Sequence, residues 1–251
     1  MADIKVAIVT GAGSGIGKAS AIALLNVGWT TVFVGRRADK LDEAIAEAGD
    51  VGINALAVPT DVTSPEQVDA LYEMVVEKYG RVDLLFNNAG MGHPAASIDE
   101  LAVDKWLEVI GVNLTGSFLM ARGAFRTMRH QKPMGGRIIN NGSISAHVPR
   151  PGSIGYTATK HAVTGLTKTM ALDGRPYSIA IGQIDVGNAL TEMAIQMTKG
   201  MPQANGSIEV EPVMDVQLVA ESIVHMAGLP LEANIPFLTV MATNMPFFGR
   251  G

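Results

Sequence analysis

The sequence predicts an α/β fold in which a doubly wound, mostly parallel sheet of about seven strands carries helices on both faces. Three observations predict it. Apolar, β-branched runs alternate with helical stretches along the chain, a glycine-rich turn follows the first run, and the 251 residues are 47% apolar. A chain of this length and composition can bury one core, so we expect a single domain over residues 1–251.

The strand and helix predictions follow from length and periodicity. Strands are predicted at residues 5–10, 30–35, 54–59, 82–86, 136–140, 178–184 and 236–242. Helical stretches are predicted between them at 16–27, 38–48, 64–79, 101–128, 155–172 and 215–226, with Gly111 and Gly116 interrupting the fourth. Ser64, Pro65 and Gln67 predict the start of the third helix as its N-cap, N1 and N3 residues.

Composition argues against several classes of function. The formal net charge is -5, and lysines and arginines are scattered singly, so we expect no nucleic-acid partner. The absence of cysteine excludes disulfides, thiolate zinc sites and a cysteine nucleophile, and it fits a reducing cytoplasm, where we expect the protein. We expect no signal peptide and no membrane partner, because no uncharged apolar run approaches the length of a membrane span.

The turn after the first strand reads Gly11-Ala12-Gly13-Ser14-Gly15-Ile16-Gly17. Glycines in a strand–turn–helix unit let the backbone approach a dinucleotide pyrophosphate, and the helix N-terminus contributes free N–H groups. An ordinary tight turn is the alternative. The placement between strand and helix favours a Rossmann-type cofactor site, whose predicted contacts here are Gly11, Ser14, Gly15, Ile16 and Gly17.

The second strand ends in Gly35-Arg36-Arg37. An acid at this place would bond the ribose 2′-hydroxyl of NAD, whereas arginines pair with the 2′-phosphate of NADP. The alternative is two solvated arginines at a helix start. Asp39 is close by and Ser14 leaves the glycine turn without a base, but the arginine pair favours NADP(H) over NAD(H).

Two other turns at strand ends are predicted cofactor contacts. Asp61-Val62 follows the third strand, where a loop can cover an adenine ring. The fourth strand ends in Asn87-Asn88-Ala89-Gly90, at the edge where open α/β sheets bind ligands, although a plain Asx turn is the alternative. Asn113 lies inside an apolar helical run and is predicted to be an interior amide with a specific partner.

Tyr156 and Lys160 are four residues apart on a predicted helix, so their side chains share one face. Ser143 reaches them if the chain folds back through the breaks at residues 149–152. A hydroxyl, a phenol and an ammonium together form a proton-transfer site, and the ammonium favours the phenolate form of the phenol.

Together these motifs resemble the classical short-chain dehydrogenase/reductase family. Its Thr-Gly-x-x-x-Gly-x-Gly is met by residues 10–17, its Asn-Asn-Ala-Gly by residues 87–90 and its Tyr-x-x-x-Lys by Tyr156 and Lys160. Its catalytic serine and asparagine match Ser143 and Asn113. The resemblance runs from Lys5 to the last strand and implies an NAD(P)(H)-dependent oxidoreductase that interconverts an alcohol and a ketone or aldehyde. It also implies a homotetramer or homodimer.

The resemblance implies a role for each matched residue. Tyr156 is the acid/base, Lys160 also holds the nicotinamide ribose, Ser143 bonds the substrate oxygen, and Asn113 holds a water that links Lys160 to solvent. Near the nicotinamide the chain has Val186 where the family usually has proline, which leaves the shape of that loop open. The other implied cofactor contacts are Asn88, Ala89, Gly90, Gly187, Ala189 and Thr191.

Residues 186–214 form a loose, methionine-rich segment with glycine and proline breakers, and we interpret it as a substrate-binding lid. A subunit contact or an irregular helix pair are the alternatives. No two histidines have a metal-ligand spacing, so no metal site is expected, and His147 as a solvated loop residue remains an alternative. The predicted substrate pocket is mixed but mostly apolar and includes Ser145, His147, Asn188 and Met193.

The sequence also bears on three rival functions. A serine hydrolase needs a second glycine after the nucleophile, which the sequence after Ser143 lacks. A non-catalytic NADP-sensing or scaffold protein could share the fold, but the complete set of Ser143, Tyr156 and Lys160 argues against it. A lyase or epimerase would form product without a net change in NADPH. The substrate itself is not predicted.

Overall fold

The computed structural model describes residues 4–248 except 193, 194, 196 and 197. Seven strands form one parallel sheet, and two short strands form a separate antiparallel pair. The strands of this part of the chain are β1 (Val6–Thr10), β2 (Thr30–Gly35), β3 (Ala55–Pro59), β4 (Leu84–Asn87), β5 (Gly136–Asn141), β6 (Ile179–Gly187), β7 (Met201–Pro202), β8 (Ile208–Glu209) and β9 (Phe237–Met241). The sheet order is β3-β2-β1-β4-β5-β6-β9, which confirms the predicted doubly wound sheet.

Helices cover both faces of this sheet. In the described residues they are α1 (Gly15–Asn26), α2 (Ala38–Glu47), α3 (Pro65–Tyr79), α4 (Val103–Ile110), α5 (Ser117–His130), α6 (Ile154–Gly174) and α7 (Val216–Gly228). The predicted start of α3 is confirmed, because the Ser64 hydroxyl accepts the Gln67 N–H at 3.3 Å. The Gln67 side chain accepts the Asp61 N–H at 2.8 Å, which fixes the end of the β3–α3 loop.

The central strands bury side chains on both faces. Ala7 and Val9 of β1 pack with side chains of α1, α2 and α7, whereas Val6 and Ile8 pack with α3 and α5. Successive side chains of a strand point to opposite faces, so a strand covered on both sides is apolar throughout. This is why uninterrupted apolar runs predicted the strands.

The predicted end of the sixth strand at residue 184 is wrong. Strand β6 continues to Gly187 because it pairs with β9, with Asp185 opposite Thr239 and Gly187 opposite Met241. A partner strand that is about 50 residues away along the chain leaves no local signal in the sequence. The extension places Asp185 inside the sheet, with its side chain 1% exposed.

The helical stretch predicted at 101–128 consists of α4 and α5, joined by a π-helical turn at Gly111–Gly116. Gly116 lies directly against Val62, since a Cβ at position 116 would be 2.7 Å from Val62 Cγ2. The interruption predicted at the two glycines is therefore a wide turn. It carries Asn113 into the interior, where the residue is 2% exposed.

Candidate active site

Two of the predicted proton-transfer residues, Tyr156 and Lys160, come together at the carboxyl edge of β5, the strand that leads to Ser143. Strand β5 leads to Ser143, the chain turns back at Gly152 (φ 72°), and α6 begins at Ile154. Lys160 is 5% exposed, and its Nζ donates to the Asn141 carbonyl at 2.7 Å. The same Nζ lies 5.4 Å from the centroid of the Tyr156 ring, so the ammonium and the phenol share one volume as their spacing predicts.

Ser143 is held by its own turn. It caps a short 3₁₀ turn at Ile144–Ala146, and its Oγ accepts the Ser145 N–H at 3.1 Å. The Ser143 N–H in turn donates to Asp185 Oδ1 at 3.1 Å. The Ser143 Oγ accepts the Ser145 N–H, so the hydrogen of the Ser143 hydroxyl is still free to be donated to another acceptor.

Asn113 has the specific partners predicted for an interior amide. Its Oδ1 accepts the Met91 N–H, and its Nδ2 donates to the Met91 carbonyl, both at 2.8 Å. The second hydrogen of Nδ2 reaches Thr159 Oγ1 at 3.1 Å. Because the Thr159 hydroxyl donates to the Tyr156 carbonyl at 2.8 Å, Asn113 is tied to the turn of α6 that carries Tyr156.

The turn between β1 and α1 has a shape that requires glycine. Gly11 and Gly15 have φ angles of 67° and 53°, in the left-handed region. Gly17 packs so closely that a Cβ there would lie 2.2 Å from the Gly11 carbonyl oxygen. The side chain of Ser14, the N-cap of α1, makes no capping hydrogen bond to the first turn. Such a backbone cradle at a helix N-terminus fits a pyrophosphate.

A cleft opens beside this turn, and we call it the glycine cleft. Eight predicted cofactor contacts line it: Gly11, Ser14, Arg36, Arg37, Asp61, Val62, Ala89 and Gly90. Gly15, Ile16, Gly17, Asn88, Tyr156, Lys160, Gly187, Ala189 and Thr191 are not part of that lining. Thr191 nevertheless borders the turn, since a Cβ at Gly15 would be 3.2 Å from its Cγ2.

One end of the glycine cleft is positively charged. Arg36, Arg37 and Lys40 line it, and Lys40, which sequence reasoning missed, pairs with Glu43 at 2.5 Å. Lys40 lies in the first turn of α2, three residues after Arg37, which is the N-cap of that helix, and this spacing would have revealed it. Hydrogen bonds from Thr63, first from its N–H and then from its hydroxyl, and the nearby Arg36 hold the pKa of Asp61 below its ordinary value. The guanidinium groups of Arg36 and Arg37 can pair with an anion such as a 2′-phosphate.

Asn88 supports the cleft from behind. Its Nδ2 donates to the Thr10 carbonyl at 2.8 Å, and its Oδ1 accepts from Asn141 Nδ2 at 2.9 Å. Thr10 Oγ1 accepts the N–H groups of Asn88 and Ala89, each at 2.8 Å. The side chain thus joins the ends of β1, β4 and β5, and the plain Asx turn does not describe it.

Of the predicted substrate-pocket residues, Ser145 and His147 lie in the loop after Ser143, and Asn188 directly follows β6. Ser145 is buried beside Ser143, and the half-exposed imidazole of His147 contacts Asp185 Oδ2 at 2.8 Å. Asn188 (φ 52°) is buried, and its Nδ2 donates to Glu211 at 2.7 Å and to the Pro212 carbonyl at 3.1 Å. Met193 lies outside the described residues.

An ion pair joins the loop after Ser143 to the segment at 186–214. Arg150 pairs with Glu211, which is buried, and also donates to Asn188 Oδ1 at 3.0 Å. In the described part of the chain, no three His, Cys, Asp or Glu side chains cluster as metal ligands. None of the helices placed in the structure has the length and apolar character to cross a membrane.

Comparison with known proteins identifies the family. Residues 5–202 match the family described as short chain dehydrogenase. A 3beta-hydroxysteroid dehydrogenase of Mediterraneibacter gnavus is 38% identical over 171 residues, which are 68% of this chain but only 61% of that relative.

Two solved structures share the whole fold. A 3-ketoacyl-(acyl-carrier-protein) reductase from Brucella melitensis, complexed with NADH, superposes with a TM-score of 0.84 at 28% identity, over 96% of this chain and 98% of that one. An actinorhodin polyketide ketoreductase with NADPH has a TM-score of 0.85 at 29% identity, over 95% of this chain and 96% of that one. The family match and the shared sheet show that this chain belongs to the short-chain dehydrogenase/reductase family of oxidoreductases.

Proposed function

We propose that the protein is an NADP(H)-dependent oxidoreductase that interconverts an alcohol and a ketone or aldehyde, with Tyr156 as acid/base. The observation that carries the proposal is the meeting of the Lys160 ammonium with the Tyr156 ring at the end of β5. A bound nicotinamide supplies or accepts the hydride, which leaves one proton for the protein to handle.

Tyr156, Lys160 and Ser143 have different roles in the transfer of that proton. In the reductive direction the Tyr156 hydroxyl donates its proton to the substrate oxygen, and in the oxidative direction the phenolate removes it. Lys160, fixed by the Asn141 carbonyl, places its ammonium beside the ring, where it stabilises negative charge that develops on the phenol oxygen during proton transfer. Ser143 donates its hydroxyl hydrogen to the substrate oxygen and stabilises developing charge there.

Asn113 is proposed to hold a water that connects Lys160 with solvent. Both hydrogens of its side-chain amide are used within the protein, by Met91 and Thr159. The water would therefore bond to the remaining acceptor sites of the Asn113 oxygens. A relay of this kind returns Tyr156 to its starting protonation state after each turnover.

The preference for NADP(H) rests on charge in the glycine cleft. Two exposed arginines line one end, together with Lys40, which is paired with Glu43, so two arginine cations are available there for a 2′-phosphate. One of the two solved relatives holds NADH and the other holds NADPH, so the preference for NADP(H) is inferred from the charges of this chain alone. We assign the pyrophosphate to residues 11–17 and the adenine to Asp61 and Val62. The nicotinamide side is assigned to Asn88, Ala89, Gly90, Tyr156, Lys160, Gly187, Ala189 and Thr191.

Substrate contacts are proposed for Ser145, His147 and Asn188, under a lid at 186–214. The Arg150–Glu211 pair anchors that segment to the loop after Ser143 and supports this assignment. The family match extends across most of the chain, but the named relatives act on different alcohols and carbonyl compounds. We therefore propose the substrate only as an alcohol or a carbonyl compound.

The test is a panel of ketones, aldehydes and alcohols incubated with NADPH or NADH in parallel, followed by absorbance of the reduced nicotinamide. We expect turnover of at least one carbonyl, faster with NADPH at equal concentration. Cofactor binding without turnover across the panel would support a sensing or scaffold protein instead. Product without a net absorbance change would indicate a lyase or epimerase.

We also propose that the enzyme is a cytoplasmic homotetramer or homodimer. Exposed apolar side chains on adjacent outer helices support association: Val103 and Leu107 on α4, Phe118 on α5 and Leu172 on α6. Light scattering after gel filtration is expected to give two or four chain masses, and Phe118→Glu is expected to lower that number. A monomeric mass for the unmodified chain would contradict the proposal.

A further inference from the structure

Asp185 is a buried carboxylate beneath Ser143 that the proposed proton transfer does not use. Its Oδ1 accepts the Ser143 N–H at 3.1 Å and Gln183 Nε2 at 2.7 Å. Its Oδ2 contacts His147 Nε2 at 2.8 Å. One side chain therefore bonds both ends of the turn that runs from Ser143 to His147.

That turn is short enough for its two ends to determine the position of the serine hydroxyl. The Ala146 N–H donates to the Ser143 carbonyl at 2.8 Å, and the His147 N–H donates to the Ile144 carbonyl at 2.9 Å. The Ser145 N–H donates to Ser143 Oγ at 3.1 Å. With these bonds made inside the turn, a fixed carboxylate below it leaves Ser143 little freedom.

The residue before the serine is shaped by the same carboxylate. A Cβ at position 142 would lie 2.0 Å from Asp185 Oδ1 and 2.6 Å from Gln183 Nε2. The Gly142 N–H also donates to the Ile184 carbonyl at 2.7 Å. Glycine is required here by close packing, because the backbone passes directly over Asp185.

A row of buried amides fixes the carboxylate in turn. Asn87, Asn140 and Gln183 are register partners on β4, β5 and β6. Asn87 donates to Asn140 at 3.1 Å, Asn140 donates to Thr167 at 2.8 Å, and Thr167 donates to Gln183 Oε1 at 3.0 Å. Because the Thr167 hydroxyl connects Asn140 to Gln183, and Gln183 Nε2 also donates to Thr164 Oγ1 at 3.0 Å, Gln183 is held in the orientation that presents its Nε2 to Asp185.

We propose that Asp185, oriented by Gln183 and closed from solvent by His147, is a positioning residue that holds the Ser143 hydroxyl where it meets the substrate oxygen. A buried carboxylate persists only when N–H donors compensate its charge, and here all three donors belong to the turn or to the amide row. The proposal rests on the proposed function, because that function gives Ser143 its contact with substrate.

Paired variants of both residues test it. Asp185→Asn keeps an oxygen for the Ser143 N–H, whereas Asp185→Ala removes it. We expect Asp185→Ala to lower kcat about 100-fold with the Kd of NADPH within about twofold, since a displacement of about 1 Å costs that much. Asp185→Asn is expected to restore most of the kcat. His147→Leu is expected to lose about tenfold, and His147→Gln, which can still donate to Asp185, to recover it.

Asp83 offers a matched control at the opposite edge of the sheet. Its Oδ2 accepts the Val6 N–H at 2.9 Å, and it pairs with Arg81 at 2.6 Å. Asp83→Ala is expected to lower Tm while kcat stays within about twofold of wild type. A loss of kcat in Asp185→Ala that Asp83→Ala reproduces at equal loss of Tm would overturn the positioning role.

Hydrogen exchange of the peptide covering residues 141–148 gives a second readout that needs no turnover. Asp185→Ala is expected to lose protection of the Ser143 and Ser145 amides, and Asp185→Asn to retain it. If the wild-type protein reduces no compound of the panel, the proposed function fails, but hydrogen exchange still tests whether Asp185 holds the turn at Ser143. Unchanged protection in Asp185→Ala would refute the proposal. If Asp185→Ala does not fold, equal kcat in His147→Leu and His147→Gln would refute it as well.

Discussion

Replacing Tyr156 with phenylalanine is expected to lower kcat about 1000-fold while NADPH still binds with the wild-type Kd. The variant keeps the ring near Lys160 Nζ and removes only the hydroxyl that exchanges a proton with substrate. General acid–base catalysis contributes about 10²- to 10⁴-fold, which sets the size of the loss. The measurement is steady-state turnover on the best substrate of the panel, together with a fluorescence titration of NADPH.

Tyr79 provides the matched control for this substitution. It lies at the end of α3, and Lys78 Nζ is 5.6 Å from its ring, so it repeats the pairing of phenol and ammonium away from Ser143. Tyr79→Phe is expected to leave kcat unchanged. Turnover retained in Tyr156→Phe at wild-type Kd would show that another group carries the proton.

Replacing Arg36 and Arg37 together with alanine is expected to weaken NADPH binding about 100-fold and NADH binding less than about threefold. Both arginines line the charged end of the glycine cleft, and hydrogen bonds between charged groups and phosphate are stronger than neutral ones. The expected loss of NADPH affinity is smaller than two buried ion pairs would give, because both arginine side chains are exposed and solvent screens their charges. The Kd of each cofactor, measured by fluorescence, gives the ratio.

Salt and a distant arginine serve as controls for that experiment. Raising the ionic strength is expected to weaken NADPH more than NADH in wild type, and the difference should shrink in the double variant. Arg126→Ala removes an exposed arginine of α5 that pairs with Asp69, and neither cofactor should respond to it. An equal loss of NADPH and NADH in the double variant would show that Arg36 and Arg37 do not read the 2′-phosphate.

Local patterns predicted the elements of this fold well. Strand β1 and helix α3 begin and end close to their predicted limits. A strand that is buried on both faces is apolar throughout, and the capping residues of a helix mark where its first turn begins. The motif at 10–17 predicted the glycine turn because its residues are contiguous in the chain. The motif at 156–160 predicted the Tyr156–Lys160 pair because the two residues lie on one face of a helix.

Other features depend on pairing across the sheet. Asn87 and Asn140 are 53 positions apart in the chain and meet only because β4 and β5 pair in one register. Asp185 lies just beyond the predicted end of the sixth strand, and pairing with β9 places it within β6 instead. No local pattern distinguishes a polar residue that faces a neighbour strand from one in a loop.

The sequence alone determined the fold class, the family resemblance, the glycine turn and the set of Ser143, Tyr156 and Lys160. These follow from short-range order, because periodicity, turn chemistry and helix spacing act over a few residues. Only the tertiary structure decided that Asp185 lies beneath Ser143, that Asn88 braces three strands, and that Lys40 joins the arginines. Strand register and helix packing bring such residues together, and they are set by burial across the whole sheet rather than by any one segment.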